Sequence, residues 1–223
     1  MSECRQPPRL VLLGKQGAGK GTQAARLADH YGAAHLSTGE LFRAQAASGT
    51  AFGLEAKRYM DAGDLVPDEI VLGVVEECLA PGGPLGDGFI LDGFPRTLPQ
   101  ASALDGLLGS HGLDLVIDLE VPREIVLDRI AGRRVCENCQ RVYHVNSPPT
   151  VNWTCDTCGG EVKQRDDDTE EAVERRLTLY DQETVPIIEY YRERGLLTVV
   201  DGVGDGDEVF ERLVKVVDDR MHA

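Results

Sequence analysis

The sequence has no apolar run long enough to cross a membrane. Its apolar stretch near the start, Leu10–Leu13, is also far too short for the core of a signal peptide. Positive charge is scarce, because 23 Lys and Arg residues face 38 Asp and Glu residues, which gives a formal net charge of −15. Such a chain repels polyanions on average. These absences predict a cytoplasmic protein with no membrane association and no nucleic-acid partner, in which any anion-binding site needs locally concentrated cations.

Internal repeats and low-complexity segments are also absent, and what remains is an alternation of strand and helix patterns across 223 residues. The predicted strands are Leu10–Leu13, Ala33–Leu36, Phe89–Leu91, Leu115–Leu119 and Leu197–Val200. The predicted helices include Asp68–Leu79, Arg123–Ile130, Thr169–Arg194 and Glu208–Arg220. This alternation predicts an α/β fold, a parallel sheet with helices on both faces, whose ligands collect at the carboxyl ends of the strands.

Local signals predict where two helices begin and where one of them bends. Ser37 and Glu40 have the spacing of a capping box, so we expect a helix to start after the second strand. Asp168 and Glu171 predict a similar start for the long helix later in the chain. Pro186 lies inside that helical pattern and is expected to kink it or divide it in two.

The nine residues Gly14–Thr22 read GKQGAGKGT and stand between the first predicted strand and a segment of helical periodicity. In that context, successive backbone N–H groups and the positive end of the helix face a polyphosphate. Lys20 would reach the terminal phosphates, and Thr22 would direct its hydroxyl to the phosphates or their Mg²⁺. Gly21 occupies a position where many such loops carry Ser or Thr. A glycine-rich turn without a ligand is the alternative, but pattern and context together favour a nucleoside triphosphate site.

Residues 134–165 interrupt the alternation and contain two CxxC pairs separated by 15 residues; the four cysteines are Cys136, Cys139, Cys155 and Cys158. Two such pairs are typical of tetrahedral zinc sites. Disulfides are the main competitor, but the expected reducing cytosol disfavours them. Iron or cobalt can also occupy four thiolates. The spacing therefore predicts a structural zinc site whose closed coordination shell leaves no position for catalysis.

Six arginines stand near the ends of predicted strands or at the two ends of the cysteine-rich insert: Arg43, Arg96, Arg129, Arg133, Arg165 and Arg176. Any one of them alone is typical of a solvated surface charge. Together, in an acidic chain, they predict a cluster that stabilises a phosphoryl group during its transfer. A hinged insert that carries some of them would also exclude water from the reaction.

Six further stretches extend over essentially the whole chain: GKQGAGKGTQ (14–23), LSTGELFR (36–43), LDGFPRT (91–97) with Gln100, DRIAGRRV (128–135), RVYH (141–144) and RDDD (165–168). Taken in order, these motifs resemble those of the adenylate kinase family. The resemblance includes the long, zinc-bearing lid of part of that family. It implies a P-loop core of residues 1–36, 67–131 and 169–223, a helical NMP-binding insert of residues 37–66, and a zinc-containing lid of residues 132–168.

The activity that the resemblance implies is reversible, Mg²⁺-dependent phosphoryl transfer from ATP to AMP, which yields two ADP and maintains the adenine nucleotide balance. It also implies a structural Zn²⁺ and a monomer. The ATP site would comprise Gly17, Ala18, Gly19, Lys20, Gly21, Thr22, Arg129, Arg133, Val142, Tyr143 and Gly204. The AMP site would comprise Thr38, Arg43, Asp64, Leu65, Val66, Gly93, Phe94, Pro95, Arg96, Gln100, Arg165 and Arg176. The catalytic residues would be Lys20, Asp92, Arg96, Arg129, Arg133, Arg165 and Arg176, with Asp92 orienting Mg²⁺ through water.

Two positions depart from the family pattern. Gln16 stands where the family often has Pro, and Gly204 lies near a position that often carries Lys. Neither change removes a group that the chemistry requires. Related UMP/CMP kinases typically have Ala in place of Thr38, so Thr38 together with Gln100 favours AMP as the acceptor. The sequence leaves the choice between ATP and GTP as donor open.

Three other functions remain as alternatives. In one, the cysteine-rich insert is a zinc ribbon that binds a partner, and the nucleotide acts as a switch. In the others, the chain is a P-loop ATPase or a kinase that acts on a sugar or on a shikimate-like acceptor. The acidic charge and the arginines at both ends of the insert argue against the first. The LSTGELFR and GFPRT segments favour a nucleotide acceptor over the others.

Overall fold

Five parallel strands form the centre of the computed structural model, which describes residues 7–222. The central strand β1 (Arg9–Leu13) lies between β3 (Phe89–Asp92) and β4 (Leu115–Glu120). The outer strands are β2 (Ala34–Ser37), beside β3, and β8 (Leu197–Asp201), beside β4. The five predicted strands and the parallel α/β fold are confirmed. The predicted core ranges include residues 1–6 and 223, which lie outside the described residues.

Alternate side chains of β1 enter two different hydrophobic layers, one on each face of the sheet. Leu10 and Leu12 pack in one layer, and Val11 and Leu13 pack in the other. The first layer includes helices α1 (Lys20–Tyr31), α6 (Arg123–Gly132), α7 (Glu170–Leu179) and α9 (Gly206–Met221). The second includes α2 (Thr38–Ala47), α3 (Ala51–Ala62), α4 (Asp68–Leu79), α5 (Leu98–Leu108) and α8 (Val185–Glu193). Burial on both faces explains why these strands read as nearly continuous apolar runs. Across residues 7–222, the helices are too short or too polar to span a bilayer.

The helical hairpin α2–α3 follows β2 directly, and its start differs from the predicted capping box. Ser37 is the residue before the first turn of α2, but its side chain makes no cap hydrogen bond. Its hydroxyl instead donates to Asp92 Oδ2 at 3.3 Å. The reason is the strand pairing, because β2 and β3 place Ser37 beside Asp92 in register. The helix was predicted correctly, but the capping box was wrong.

Helices α2 and α3 approach so closely at Gly53 that a side chain there is excluded. A Cβ atom at Gly53 would lie 2.2 Å from the Gln45 carbonyl carbon, whereas a Cβ at Gly73 on α4 would meet nothing within 4 Å. We expect Gly53→Ala to lower the free energy of unfolding by about 2 kcal/mol, since the two backbones must separate. Gly73→Ala is the control, and it should raise that free energy by about 0.5–1 kcal/mol through helix propensity. Urea denaturation of both variants measures the difference, and equal shifts would show that the close approach has no energetic effect.

The long helical pattern after residue 169 is divided, as predicted from Pro186. Helix α7 ends at Leu179, a π-helical turn spans Tyr180–Thr184, and α8 begins with Pro186 in its first turn. The predicted cap of this segment was wrong, because the Thr169 side chain accepts the hydrogen bond from the Ala172 amide. The Asp168 carboxylate instead binds Arg133.

A small antiparallel sheet forms the insert between α6 and α7. Its strands are β5 (Arg133–Cys136), β6 (Val142–His144) and β7 (Val162–Lys163), with β5 in the middle. The buried cluster inside it contains four residues, Cys136, Tyr143, Cys155 and Val162, with Trp153 packed against them. Four side chains bury too little apolar surface to stabilise such a unit alone, so another source of stability is required.

Candidate functional site

A cavity of about 1340 Å³ opens at the carboxyl ends of the central strands, where parallel sheets place their ligands. The core, the α2–α3 hairpin and the insert of β5–β7 all contribute to its wall. Of the ATP-site, AMP-site and catalytic residues predicted from the sequence, all but Phe94 line it. The Phe94 side chain is buried in the hydrophobic layer that contains α4 and α5. One cavity therefore collects motifs that are spread over nearly two hundred residues of sequence.

The loop between β1 and α1 needs glycine at specific positions. Gly14 has φ +139° and lies so close to β4 that a Cβ would be 2.7 Å from the Leu119 carbonyl oxygen. Gly17 has φ +83°, and its Cβ would be 2.8 Å from the Ile130 side chain. Gly19, at φ +104°, is the residue before the first turn of α1. The loop thus brings the positive end of α1 to the cavity wall, which is favourable for an anion.

Lys20 is folded back over this loop. Its Nζ donates to the carbonyl oxygens of Gly14 at 2.7 Å and Lys15 at 2.9 Å. Burial lowers the pKa of Lys20 to about 8, although the nearby Asp92 carboxylate opposes the shift. A phosphate beside the ammonium would stabilise its charged form. Lys20 is therefore positioned to bind an anion that enters the loop.

Arg96 lies across the cavity, in the segment that follows β3. Its Nε donates to the Gly93 carbonyl at 2.8 Å, and its main-chain N–H donates to Gln100 Oε1 at 2.8 Å. Thr38 Oγ1 donates to the same Gly93 carbonyl at 3.0 Å, and Thr184 Oγ1 donates to the Arg96 carbonyl at 3.1 Å. Burial lowers the pKa of Arg96, and the neighbouring guanidinium groups add to this effect. These contacts hold a half-buried cation that faces the cavity.

Three other arginines meet two buried carboxylates at the end of the insert. Arg133 donates through Nε to Asp168 Oδ2 at 2.8 Å and through Nη2 to Oδ1. Arg176 Nη2 donates to Asp167 Oδ2 at 2.7 Å, and Arg43 Nη1 lies 3.9 Å from the same oxygen. Of the three consecutive aspartates in this segment, Asp167 and Asp168 are buried whereas Asp166 is exposed.

The remaining two predicted arginines differ in their partners. Arg129 Nη1 donates to the Ala18 carbonyl at 3.0 Å, and Nη2 donates to the Gly202 carbonyl at 3.1 Å, so it joins the glycine-rich loop to the segment after β8. The Arg165 Nε is buried without a hydrogen-bond partner among the described residues. Burial, together with the charges of Arg43 and Arg133, lowers the pKa of Arg165 to about 9. Several cations are thus close enough to disfavour one another, an arrangement that a polyanion would stabilise.

The wall around Arg96 combines a hydrogen-bonded amide with apolar side chains. Gln100 is 2% exposed, and its Nε2 donates to Asp68 Oδ1 at 2.6 Å. Leu65 and Val66 line the same region, and Asp64 at its edge is paired with Arg175. A flat apolar ring with polar edges fits such a wall, because the apolar residues contact its faces and the amide its edge.

Comparison with known proteins identifies the family of the chain that forms this cavity. The family model described as adenylate kinase matches residues 12–196. The chain belongs to the adenylate kinase family. It is 50% identical over 205 residues to the adenylate kinase of Carboxydothermus hydrogenoformans, which covers 91% of this chain and 95% of the relative. It is also 49% identical over 213 residues to that of Thermodesulfovibrio yellowstonii (94% and 99% covered) and 50% identical over 209 residues to that of Acidothermus cellulolyticus (92% and 96%). The predicted family is confirmed.

The insert of this adenylate kinase family member is suited to a structural zinc ion. The Sγ atoms of Cys136, Cys139, Cys155 and Cys158 all lie within 4.8 Å of one another. That separation and the all-sulfur donor set match a tetrahedral Cys₄ site. The Tyr143 hydroxyl donates to Cys155 Sγ at 3.4 Å and accepts from the Asp156 amide at 2.9 Å. Tyr143 therefore supports the metal site from inside the insert, while Val142 beside it is exposed toward the cavity.

Two features near the cavity were missed by sequence reasoning. Asp118, at 8% exposure, accepts a hydrogen bond from the Tyr180 hydroxyl at 3.2 Å, and burial raises the pKa of this carboxyl group. The available signal was a carboxylate flanked by apolar residues inside strand β4. Gln16 was noted only as a departure from the family pattern, yet its side chain contacts Asp168. No local spacing connects two residues so far apart in the chain.

Proposed function

We propose that this chain is an adenylate kinase that transfers a phosphoryl group reversibly from ATP to AMP, with Mg²⁺, and so maintains the balance of adenine nucleotides. The observation that carries the proposal is the composition of one cavity. It has a glycine-rich phosphate loop on one side, the Thr38–Arg96–Gln100 region on the other, and arginines between them. Two nucleotides placed end to end would bring their phosphates to those arginines.

The ATP site that we propose is built around the start of α1. Gly17–Thr22 would bind the phosphates, with Lys20 between the donor and the transferred group. Arg129 and Arg133 would stabilise the phosphates, while Val142 and Tyr143 approach from the lid and Gly204 from the segment after β8. Lys20 and Arg129 are now held by carbonyl oxygens, which are weaker partners for a cation than phosphate oxygens. An exchange of partners would therefore favour ATP binding.

The proposed AMP site lies on the opposite wall. Arg43 and Arg96 would bind the AMP phosphate, together with Arg165 and Arg176 where the two nucleotides meet. Leu65 and Val66 would contact the base, Gln100 would read its edge, and Thr38 and Asp64 would lie beside them. Gly93–Pro95 would contribute main-chain contacts, since the Phe94 side chain belongs to the hydrophobic core.

Catalysis would consist of positioning and charge stabilisation, because the phosphate oxygen of AMP is already anionic and needs no strong base. Lys20, Arg96, Arg129, Arg133, Arg165 and Arg176 would surround the transferred group. The Thr22 hydroxyl and the Asp92 carboxylate would suit a magnesium site, since Asp92 lies against the phosphate loop, where a Cβ atom added to Gly21 would be 3.3 Å from Asp92 Oδ2. Mg²⁺ bound there would neutralise part of the charge that develops on the phosphates.

We further propose three parts that move relative to one another, with the boundaries predicted from the sequence. The core comprises residues 1–36, 67–131 and 169–223, the NMP-binding insert residues 37–66, and the lid residues 132–168. Closure of the lid would exclude water, which otherwise competes with AMP for the phosphoryl group. A monomer suffices, because one chain supplies the whole cavity. Four thiolates that hold a metal favour the reducing cytoplasm, and the net charge of −15 disfavours nucleic acid.

An assay of acceptor and donor choice tests the proposal. ADP formation from ATP is measured with AMP, GMP, CMP and UMP in turn, with and without Mg²⁺, and then with GTP as donor. We expect rapid, Mg²⁺-dependent formation of ADP when AMP is the acceptor, and none with GMP, CMP or UMP. Turnover with UMP or CMP would instead indicate a pyrimidine nucleotide kinase, and preference for GTP would correct the donor. ATP loss that is independent of every monophosphate would indicate an ATPase or a nucleotide-dependent switch.

A further inference from the structure

Gln16 connects the phosphate loop to the hinge of the lid. Its Nε2 donates to Asp168 Oδ1 at 3.1 Å, although the two residues are 152 positions apart in the chain. Its other polar atom, Oε1, is buried and has no hydrogen-bond partner among the described residues. The side chain therefore spans from the loop that faces ATP to the point where the lid meets α7.

The carboxylate that Gln16 contacts, that of Asp168, is buried and paired with Arg133, an arginine that we have proposed to bind the phosphates of ATP. The Asp168 side chain is 0% exposed, and Arg133 binds both of its oxygens. If Arg133 turns toward the phosphates of ATP, it must leave that carboxylate without its charged partner. A buried, unpaired carboxylate is strongly unfavourable, so any hydrogen bond that it keeps lowers the cost of the exchange.

We propose that Gln16 is a positioning residue that keeps Asp168 hydrogen-bonded while Arg133 moves from Asp168 to the ATP phosphates. Because Nε2 carries two hydrogens, the amide has a second donor to offer Asp168 once Arg133 has left. In this way a residue of the phosphate loop, Gln16, promotes the movement of Arg133 toward the ATP that the loop binds. The inference rests on the proposed function in one respect, the placement of Arg133 on the ATP phosphates.

If the hydrogen bond between Gln16 and Asp168 only held the loop and the lid together, different results would be expected. It would then stabilise the protein equally with and without nucleotide, so its loss would lower thermal stability and leave ATP affinity unchanged. The proposed role is specific to the ATP-bound state, in which Asp168 has lost Arg133. Affinity for ATP, measured without any turnover, therefore separates the two roles.

The first test replaces Gln16 by a side chain of similar length that has no amide. For Gln16→Met we expect calorimetry with ATP alone to show binding weakened about tenfold, since a buried charged acceptor is left unsatisfied. The dissociation constant for AMP should stay within about twofold of the parent value, a change too small to indicate a lost hydrogen bond. Gln164→Met is the matched control, because Gln164 Nε2 donates to the main-chain carbonyl of the same Asp168 at 3.2 Å. ATP affinity should change less than about twofold in that control.

A second variant shows whether the effect passes through Asp168. In an Asp168→Asn background the acceptor is neutral, so adding Gln16→Met should weaken ATP binding by less than about twofold. Additive losses in the double variant, or unchanged ATP affinity in Gln16→Met, would overturn the inference. Thermal unfolding of every variant shows whether it is folded. Because ATP binding is measured without AMP, the result is independent of whether the chain forms ADP, and failure of the proposed function would be seen separately.

Discussion

Replacement of Arg96 by alanine is expected to lower kcat for ADP formation by about 10³-fold while the fold is retained. The half-buried guanidinium lies at the junction of the two proposed nucleotide sites, and its Nε is held by the Gly93 carbonyl at 2.8 Å. Removal deletes a positioned cation where charge develops in the transition state. Removal also ends the desolvation of this charge and its repulsion from Arg176 and Arg43, which together outweigh the lost attraction of Asp92, so the unfolding temperature should not fall much.

Steady-state rates at varied AMP and ATP, together with thermal unfolding, check this expectation. Arg192→Ala is the control, because Arg192 is exposed and pairs only with Glu189 among the described residues. Arg96→Lys should recover little activity, since a single ammonium cannot reproduce the planar set of guanidinium donors. Near-normal turnover in Arg96→Ala would remove this residue from the proposed catalytic group, and an unfolded variant would show that its main role is structural.

Removal of the lid metal is the second change with a large expected effect. The lid has a buried cluster of four side chains, two of which are themselves metal ligands. Metal binding at such a site contributes about 10 kcal/mol to folding of the unit. Chelation should therefore unfold residues 132–168 while the five-stranded core remains folded. Activity should fall about 10²-fold, because Arg133 and Arg165 at the ends of the lid lose their positions.

The single tryptophan reports this change directly. Trp153 packs against the lid cluster, so its emission should shift to longer wavelength on chelation, while circular dichroism retains the signal of the core helices. Cys78→Ser is the control, since Cys78 lies on α4, outside the four-cysteine cluster. The metal content and the emission spectrum of this variant should match those of the parent protein. An unchanged Trp153 spectrum in protein shown to be free of metal would mean that packing alone holds the lid.

Several contacts near the site could not be predicted from local patterns, and each depends on a partner distant in the chain. Ser37 has the spacing of a capping residue, but strand pairing places Asp92 beside its hydroxyl. Asp168 was expected to cap α7, but Arg133 binds it, and Thr169 is the cap. Local preference identifies the kind of hydrogen bond that a side chain makes, whereas tertiary proximity selects its partner.

The sequence by itself determined the parallel α/β core, the phosphate loop, the four-cysteine lid and the set of arginines. Each of these is a pattern of residue types at short spacing, and short spacing fixes local geometry through backbone sterics and periodicity. Only the tertiary structure decided which aspartates face inward at the lid hinge, that Phe94 belongs to the core, and that Gln16 reaches Asp168. These three features depend on which elements pack together, because the spacing of nearby residues in the sequence does not show which distant residues are buried against or paired with one another.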